Sequence, residues 1–293
     1  MDTQEGLQQE LGIYVAGLLL YNYCIYGCVG AYKVACSYGV GEPRGNRSGM
    51  PYLIGIGIGF VFLSLFYKDR RREPIWKRKR KGSWKLVAIC LLFLMAAQFV
   101  TMVWAEGVEA LVHKAGVSLA GEREAASGVN GTGTMVFYTL VIAPITEEII
   151  FRGYLLKGLK KYGNSVAILT SALLFGLYHA NLIQMVVAFL MGLLFGYVAA
   201  EYSVHLTILL HMVNNAMVSG MVHWSATKQT MLYEIEGVSF VLVLLFIVWY
   251  RRQILCYIEA SGGCNLRSVV RNLWMGLYVG MTVLVAWEGI MGG

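Results

Sequence analysis

Residues 135–152 read MVFYTLVIAPITEEIIFR. A largely apolar run leads through Pro144 into Thr146-Glu147-Glu148, and apolar residues resume before Arg152. A charge at the centre of a bilayer costs about 2.5–3.5 kcal/mol on insertion scales. Two carboxylates and a guanidinium in such a segment therefore point to a functional site facing a cavity or a partner helix. The competing reading places all three at the membrane surface, as a helix end begun by Pro144. Phe151, Tyr154, Leu155 and Leu156 oppose it by carrying the apolar character past the cluster.

The rest of the chain agrees with a membrane setting. Of 293 residues, 57% are hydrophobic and only 14% are Asp, Glu, Lys or Arg, where a soluble domain carries roughly 25% charged residues. Apolar runs near 20 residues recur without the apolar–polar alternation of membrane strands, which excludes a β-barrel. The expected fold is all-α: one polytopic transmembrane bundle over residues 1–293, of about eight to nine helices around an intramembrane polar cavity. Spans are expected at about 11–35, 52–67, 84–105, 134–161, 165–180, 182–200, 204–222, 237–250 and 269–290, with ends uncertain by a few residues. A turn region holds Pro43, Gly45, Asn46 and Pro51, and glycines 55, 57 and 59 suit close helix approach. Residues 106–133 and Trp224 to Glu236 read as polar connections. No internal repeat is visible.

The net charge of +7 is concentrated in one place. Lys68 to Lys85 holds ten Lys/Arg against Asp69 and Glu73. This is the pattern of a cytoplasmic loop under the positive-inside bias, with anionic lipid headgroups as its partner; nucleic acid is not expected. Residues 106–133 then lie outside, and Lys157, Lys160, Lys161 and the amino terminus inside. Met1 to Glu10 has no basic region typical of a cleavable signal, so the first helix is expected to direct insertion. Cys24, Cys28, Cys36, Cys90, Cys256 and Cys264 form no C-x-x-C pair.

Helix geometry sorts the ionisable cluster. Glu148 and Arg152 are four apart and share a face, so they can pair. Glu147 lies about 100° around the helix, free to point at a cavity; the opposite assignment stays open. His179 closes the fifth span. Glu147 and His179 lie about 14 and 15 residues from the Lys161–Asn164 turn, roughly 20 Å each, so they can face one another across an antiparallel pair. In the seventh span His211 and Asn215 are four apart on one face, with Asn214 the alternative. They could also serve as interhelical hydrogen-bond glue. His113, His205 and His223 receive no role.

A buried carboxylate beside a histidine can deprotonate water for attack on an amide carbonyl, and a second histidine with an asparagine can supply donors to the oxyanion. There is no G-x-S-x-G elbow and no H-E-x-x-H. A divalent metal such as zinc on two histidines and a glutamate is the less favoured arrangement; no cofactor is expected.

Glu147-Glu148-x-x-x-Arg152, Phe175-x-x-x-His179 and His211-x-x-x-Asn215, in this order and each within an apolar segment, resemble the three motifs of the CPBP family. That family comprises type II CAAX prenyl proteases and bacterial bacteriocin-processing and immunity proteins. The resemblance covers roughly residues 134–222. It implies a bundle of about eight helices with a cavity open to the cytosolic side, and a peptide or protein substrate at the membrane. It also implies that Glu147 activates water with His179, that His211 and Asn215 support the oxyanion, and that Glu148 and Arg152 shape the site. The alternatives are a non-catalytic immunity or adaptor protein of the same family and a proton-coupled transporter, the latter disfavoured by the lack of pseudo-symmetry.

Overall fold

A computed structural model describes residues 3–39, 48–67, 73–127, 132–221, 225–262, 269 and 271–291. The Pro43–Asn46 turn, Lys68 to Arg72, His223, Trp224 and Cys264 lie outside the described residues. Ten helices are present among the described residues: α1 (Thr3–Ser37), α2 (Met50–Tyr67), α3 (Trp84–Val112), α4 (Ala120–Ser127), α5 (Gly133–Tyr162, of mixed helical type), α6 (Asn164–Tyr178), α7 (Gln184–Glu201), α8 (Val204–Met221), α9 (Ala226–Ala260) and α10 (Leu273–Met291). Six of them, α1, α2, α3, α5, α7 and α9, are long and apolar enough to cross a membrane.

All nine expected spans are helices. The tenth, α4, lies within the connection read as a polar loop. Two further boundaries need correction. Residues 226–236 are not a linker, and Arg251 and Arg252 do not end a helix, because α9 runs unbroken for 35 residues. The reason is local: Thr227 to Ala260 contains no proline and a single glycine, Gly237, and its polar residues are good helix formers. The helix stops one residue before a turn at Gly262, whose φ is +92°.

α1 packs along α2, α3 along α9, and α6 along α7. Small residues permit the close approaches. A Cβ at Gly55 would lie 2.7 Å from Ile25 Cα, and one at Gly59 2.6 Å from Tyr21, whereas Gly57 faces open space. Gly192 meets Ala172 of α6 in the same way, at 2.7 Å from its Cα. In a medium as apolar as leucine, such packing rather than hydrophobic exclusion drives association. The main core joins α1, α2, α5, α6 and part of α7, including Tyr14, Leu18, Tyr67, Phe151, Leu155 and Phe175.

The basic loop is tied to the bundle rather than hanging free of it. Ile75 is buried against Gly153. The buried Lys157 ammonium donates to the carbonyls of Pro74 and Ile75 at 2.6 and 2.8 Å. Trp76 lies against His205, with ring centroids 4.8 Å apart, and the Lys79 amide donates to the Tyr202 carbonyl at 2.9 Å. Glu73 pairs with Lys160 at 3.5 Å. Burial pushes the Glu73 carboxyl up, but Lys160, Lys77 and Lys157 outweigh it and hold it below the usual range.

Candidate active site

Pro144 explains why α5 is irregular. It has no N–H to give to the carbonyl one turn back, and its ring crowds that carbonyl. The helix widens just before it: Tyr138–Ile142 is π-helical, and the Ala143 amide reaches the Tyr138 carbonyl five residues back. Ala143–Glu148 returns to α, and Ile149–Leu156 is π again. Thr146 Oγ1 donates to the Ile142 carbonyl at 2.8 Å, a bond that bends helices. π-Turns inside α-helices concentrate at functional sites. Here they flank the two carboxylates.

Those carboxylates are buried, Glu147 with 6% of its surface exposed and Glu148 with none. Glu148 Oε1 lies 3.2 Å from Arg152 Nη1, the i,i+4 pair that the spacing predicts. The same oxygen accepts from His211 Nδ1 at 3.1 Å. His211 Nε2 then faces Glu147 Oε2 at 3.8 Å. One imidazole on α8 thus bridges adjacent carboxylates on α5. The fully buried guanidinium also lies over the Phe175 ring, 4.2 Å from its centroid, and near Phe151 and Phe195. Its three nitrogens make no hydrogen bond among the described residues.

His179 sits at the end of α6, half-buried. Its Nδ1 is 2.9 Å from the Phe175 carbonyl. A carbonyl only accepts, so Nδ1 carries the proton and Nε2 presents a lone pair. His179 makes no ion pair or hydrogen bond with either carboxylate among the described residues. Phe175 touches both imidazoles, its ring near-perpendicular to His179 at 4.9 Å and to His211 at 5.8 Å between centroids. Asn215 Nδ2 donates to the Thr139 carbonyl at 3.0 Å, which draws α8 onto the first π-segment. Among the described residues no group of three or more His, Cys, Asp or Glu is arranged to hold a metal ion.

The turn after His179 is held from both sides. Ala180 adopts φ +45°, a left-handed conformation costing roughly 1–2 kcal/mol for a residue with a Cβ. Asn181 holds it by capping α7, its Oδ1 accepting from Ile183 and Gln184 amides at 3.1 and 2.9 Å. Helix α4 clasps this turn: Asn181 Nδ2 donates to the Glu122 carbonyl at 3.0 Å, and the Leu182 amide to Glu122 Oε2 at 2.8 Å.

Burial raises the Glu122 carboxyl above its ordinary range, partly offset by the Leu182 amide. A raised native pKa means the docked state binds the proton more tightly than the undocked chain does. The stabilisation is complete below the ordinary value of about 4.3 and is lost as pH rises through the raised value. Protease nicking of residues 113–127 should therefore increase from pH 4 to pH 8. Glu122→Gln keeps the acceptor without the charge and should flatten that dependence.

Several residues around the site escape motif reading. Tyr21, Tyr138 and Tyr178 lie within electrostatic range of Glu147. Gln98 of α3 donates to Asn214 at 3.1 Å. Its signal was visible: one amide within the apolar run 91–100, LLFLMAAQFV.

Residues 130–217 match the family model described as Type II CAAX prenyl endopeptidase Rce1-like. No curated protein and no solved structure matches the chain. The matched segment holds both buried carboxylates, Arg152, His179, His211 and Asn215, within a set of helices that make the chain a multi-pass integral membrane protein. Over residues 130–217 the chain is similar to the Rce1-like type II CAAX prenyl endopeptidases, the CPBP family.

Proposed function

We propose that the protein is an intramembrane endopeptidase that hydrolyses a peptide bond of a membrane-associated substrate, a lipidated C-a-a-X terminus or a leader peptide, with water activated by Glu147. The observation that carries this reading is His211 bridging Glu147 and Glu148 inside a segment matching the CAAX endopeptidase family.

In this reading Glu148 and Arg152 hold His211 by its Nδ1 edge. Its Nε2 faces Glu147 at 3.8 Å, too long for a direct hydrogen bond and close enough for one water beside the pair to bond with both. Glu147 takes a proton from that water, with the Nε2 lone pair of His179 as the second acceptor. The hydroxide adds to the substrate carbonyl. Protonated His211 and the Asn215 amide donate to the oxyanion. Collapse of the tetrahedral adduct breaks the C–N bond, and the proton held by Glu147 passes to the leaving amine. No covalent enzyme intermediate is formed.

The test is peptidomics of membrane fractions from cells carrying the wild-type chain or Glu147→Ala. Peptides ending at a common cleavage site should appear only with the wild type. Identical peptide sets at equal protein levels would end the reading.

A further inference from the structure

Three amides form a directed chain across the bundle. Gln98 Nε2 on α3 donates to Asn214 Oδ1 at 3.1 Å. Asn214 Nδ2 donates to Asn215 Oδ1 at 3.3 Å. Asn215 Nδ2 donates to the Thr139 carbonyl of α5 at 3.0 Å. An asparagine amide can be turned end for end with little change in shape, so its orientation has to be set by its partners. Here both ends of Asn215 are specified. Thr139 offers a backbone carbonyl, which can only accept, and so demands the NH2 group. Asn214 offers its own NH2 to the other end, and can do so because Gln98 occupies its oxygen.

The orientation matters for catalysis. An asparagine NH2 carries two protons. One goes to Thr139, and the second is free on the face of α8 shared with His211. Turned around, the same side chain would aim an oxygen at developing negative charge, and a donor would become a source of repulsion. Only 5% of the Asn214 surface is exposed, so water cannot readily replace Gln98 as its donor.

We propose that Gln98 and Asn214 are positioning residues that fix the amide of Asn215 with its NH2 group toward the reacting carbonyl. This rests on the oxyanion role assigned to Asn215 above. Gln98 lies outside residues 130–217, so the site is completed by a helix that the family match does not include.

Gln98→Glu gives a readout that loss of packing does not. While protonated, the introduced carboxyl can still donate to Asn214 Oδ1. Once ionised it can only accept, so Asn214 must turn, and then Asn215 must turn or face an oxygen. With a farnesylated C-a-a-X peptide in detergent micelles, kcat of Gln98→Glu should be near wild type at its acid limit. It should fall by about 10²-fold as pH rises, the scale of losing one oxyanion donor, with KM unchanged. Gln98→Met should lower kcat less and leave the shape of the pH profile unaltered. The relay itself is tested on the purified full-length chain without substrate. Gln98→Met should lower Tm by about 2–4 °C, as for loss of one hydrogen bond in a chain of this order of size. In an Asn214→Leu background it should lower Tm no further. Additive losses of Tm would overturn the relay whatever the activity, as would a Gln98→Glu profile identical to wild type in an active enzyme. Non-additive losses in a chain that cleaves neither the farnesylated peptide nor any membrane peptide would support the relay and remove the peptidase reading instead.

Discussion

Glu147→Gln should reduce cleavage of a farnesylated C-a-a-X peptide by at least about 10³-fold while leaving the melting temperature within a degree or two of wild type. The amide has the carboxylate's size and can still accept a hydrogen bond, so neither packing nor local geometry should change. What it cannot do is take a proton from water. The small structural effect follows from the division of labour on α5. Glu148, not Glu147, pairs with Arg152 and receives the short bond from His211 Nδ1. Glu147 stands 3.8 Å from His211 Nε2, so losing its charge leaves the fully buried pair intact. Rates followed by mass spectrometry, with thermal melts on the same preparations, check both halves. Cleavage within tenfold of wild type would remove Glu147 from the role of base. A large fall in melting temperature would show that its carboxylate holds the fold.

The contrast between these two neighbours marks how far the sequence could be read. Spacing alone pairs Glu148 with Arg152, because residues four apart share a helical face even through the π-turns. Spacing cannot give the rotation of α8 against α5, so which carboxylate receives His211, and by which nitrogen, was not legible. The same limit applies to Phe175, quoted in a motif beside His179 but found against both imidazoles. Hydropathy located a helix at every expected span, and six of those helices are long and apolar enough to cross a bilayer. It failed where polarity and helicity part company, at residues 226–236 and at α4, since a polar helix leaves no apolar signature. It also read the basic loop only as a cytoplasmic, headgroup-facing segment. Ile75 and the Lys157 bonds to Pro74 and Ile75 belong to tertiary packing, which no composition count reveals.

Arg152→Met should destabilise the protein by about 3–5 kcal/mol, the usual cost of leaving one partner of a buried ion pair uncompensated. Neither Arg152 nor Glu148 exposes any side-chain surface. Without the guanidinium, the Glu148 carboxylate loses its ion-pair partner and keeps the His211 Nδ1 contact, and Phe175 loses the cation 4.2 Å above its ring. Adding Glu148→Gln should recover most of that loss. A neutral amide beside a methionine removes both charges together, and replacing a buried pair by neutral groups of similar volume is often harmless to stability. His211 Nδ1 can still donate to the glutamine oxygen, so the imidazole stays in place. Activity should not return with stability, because the charges that hold His211 as a donor are gone. Thermal melts of the single and double variants in detergent decide the structural part. A single variant within about 1 kcal/mol of wild type, or losses that simply add in the double, would mean that the pair is not what keeps this charge cluster tolerable within the bundle. Recovery of stability without turnover would instead give the pair two roles. It keeps ionised groups inside a membrane helix, and through Glu148 it orients the imidazole that faces Glu147.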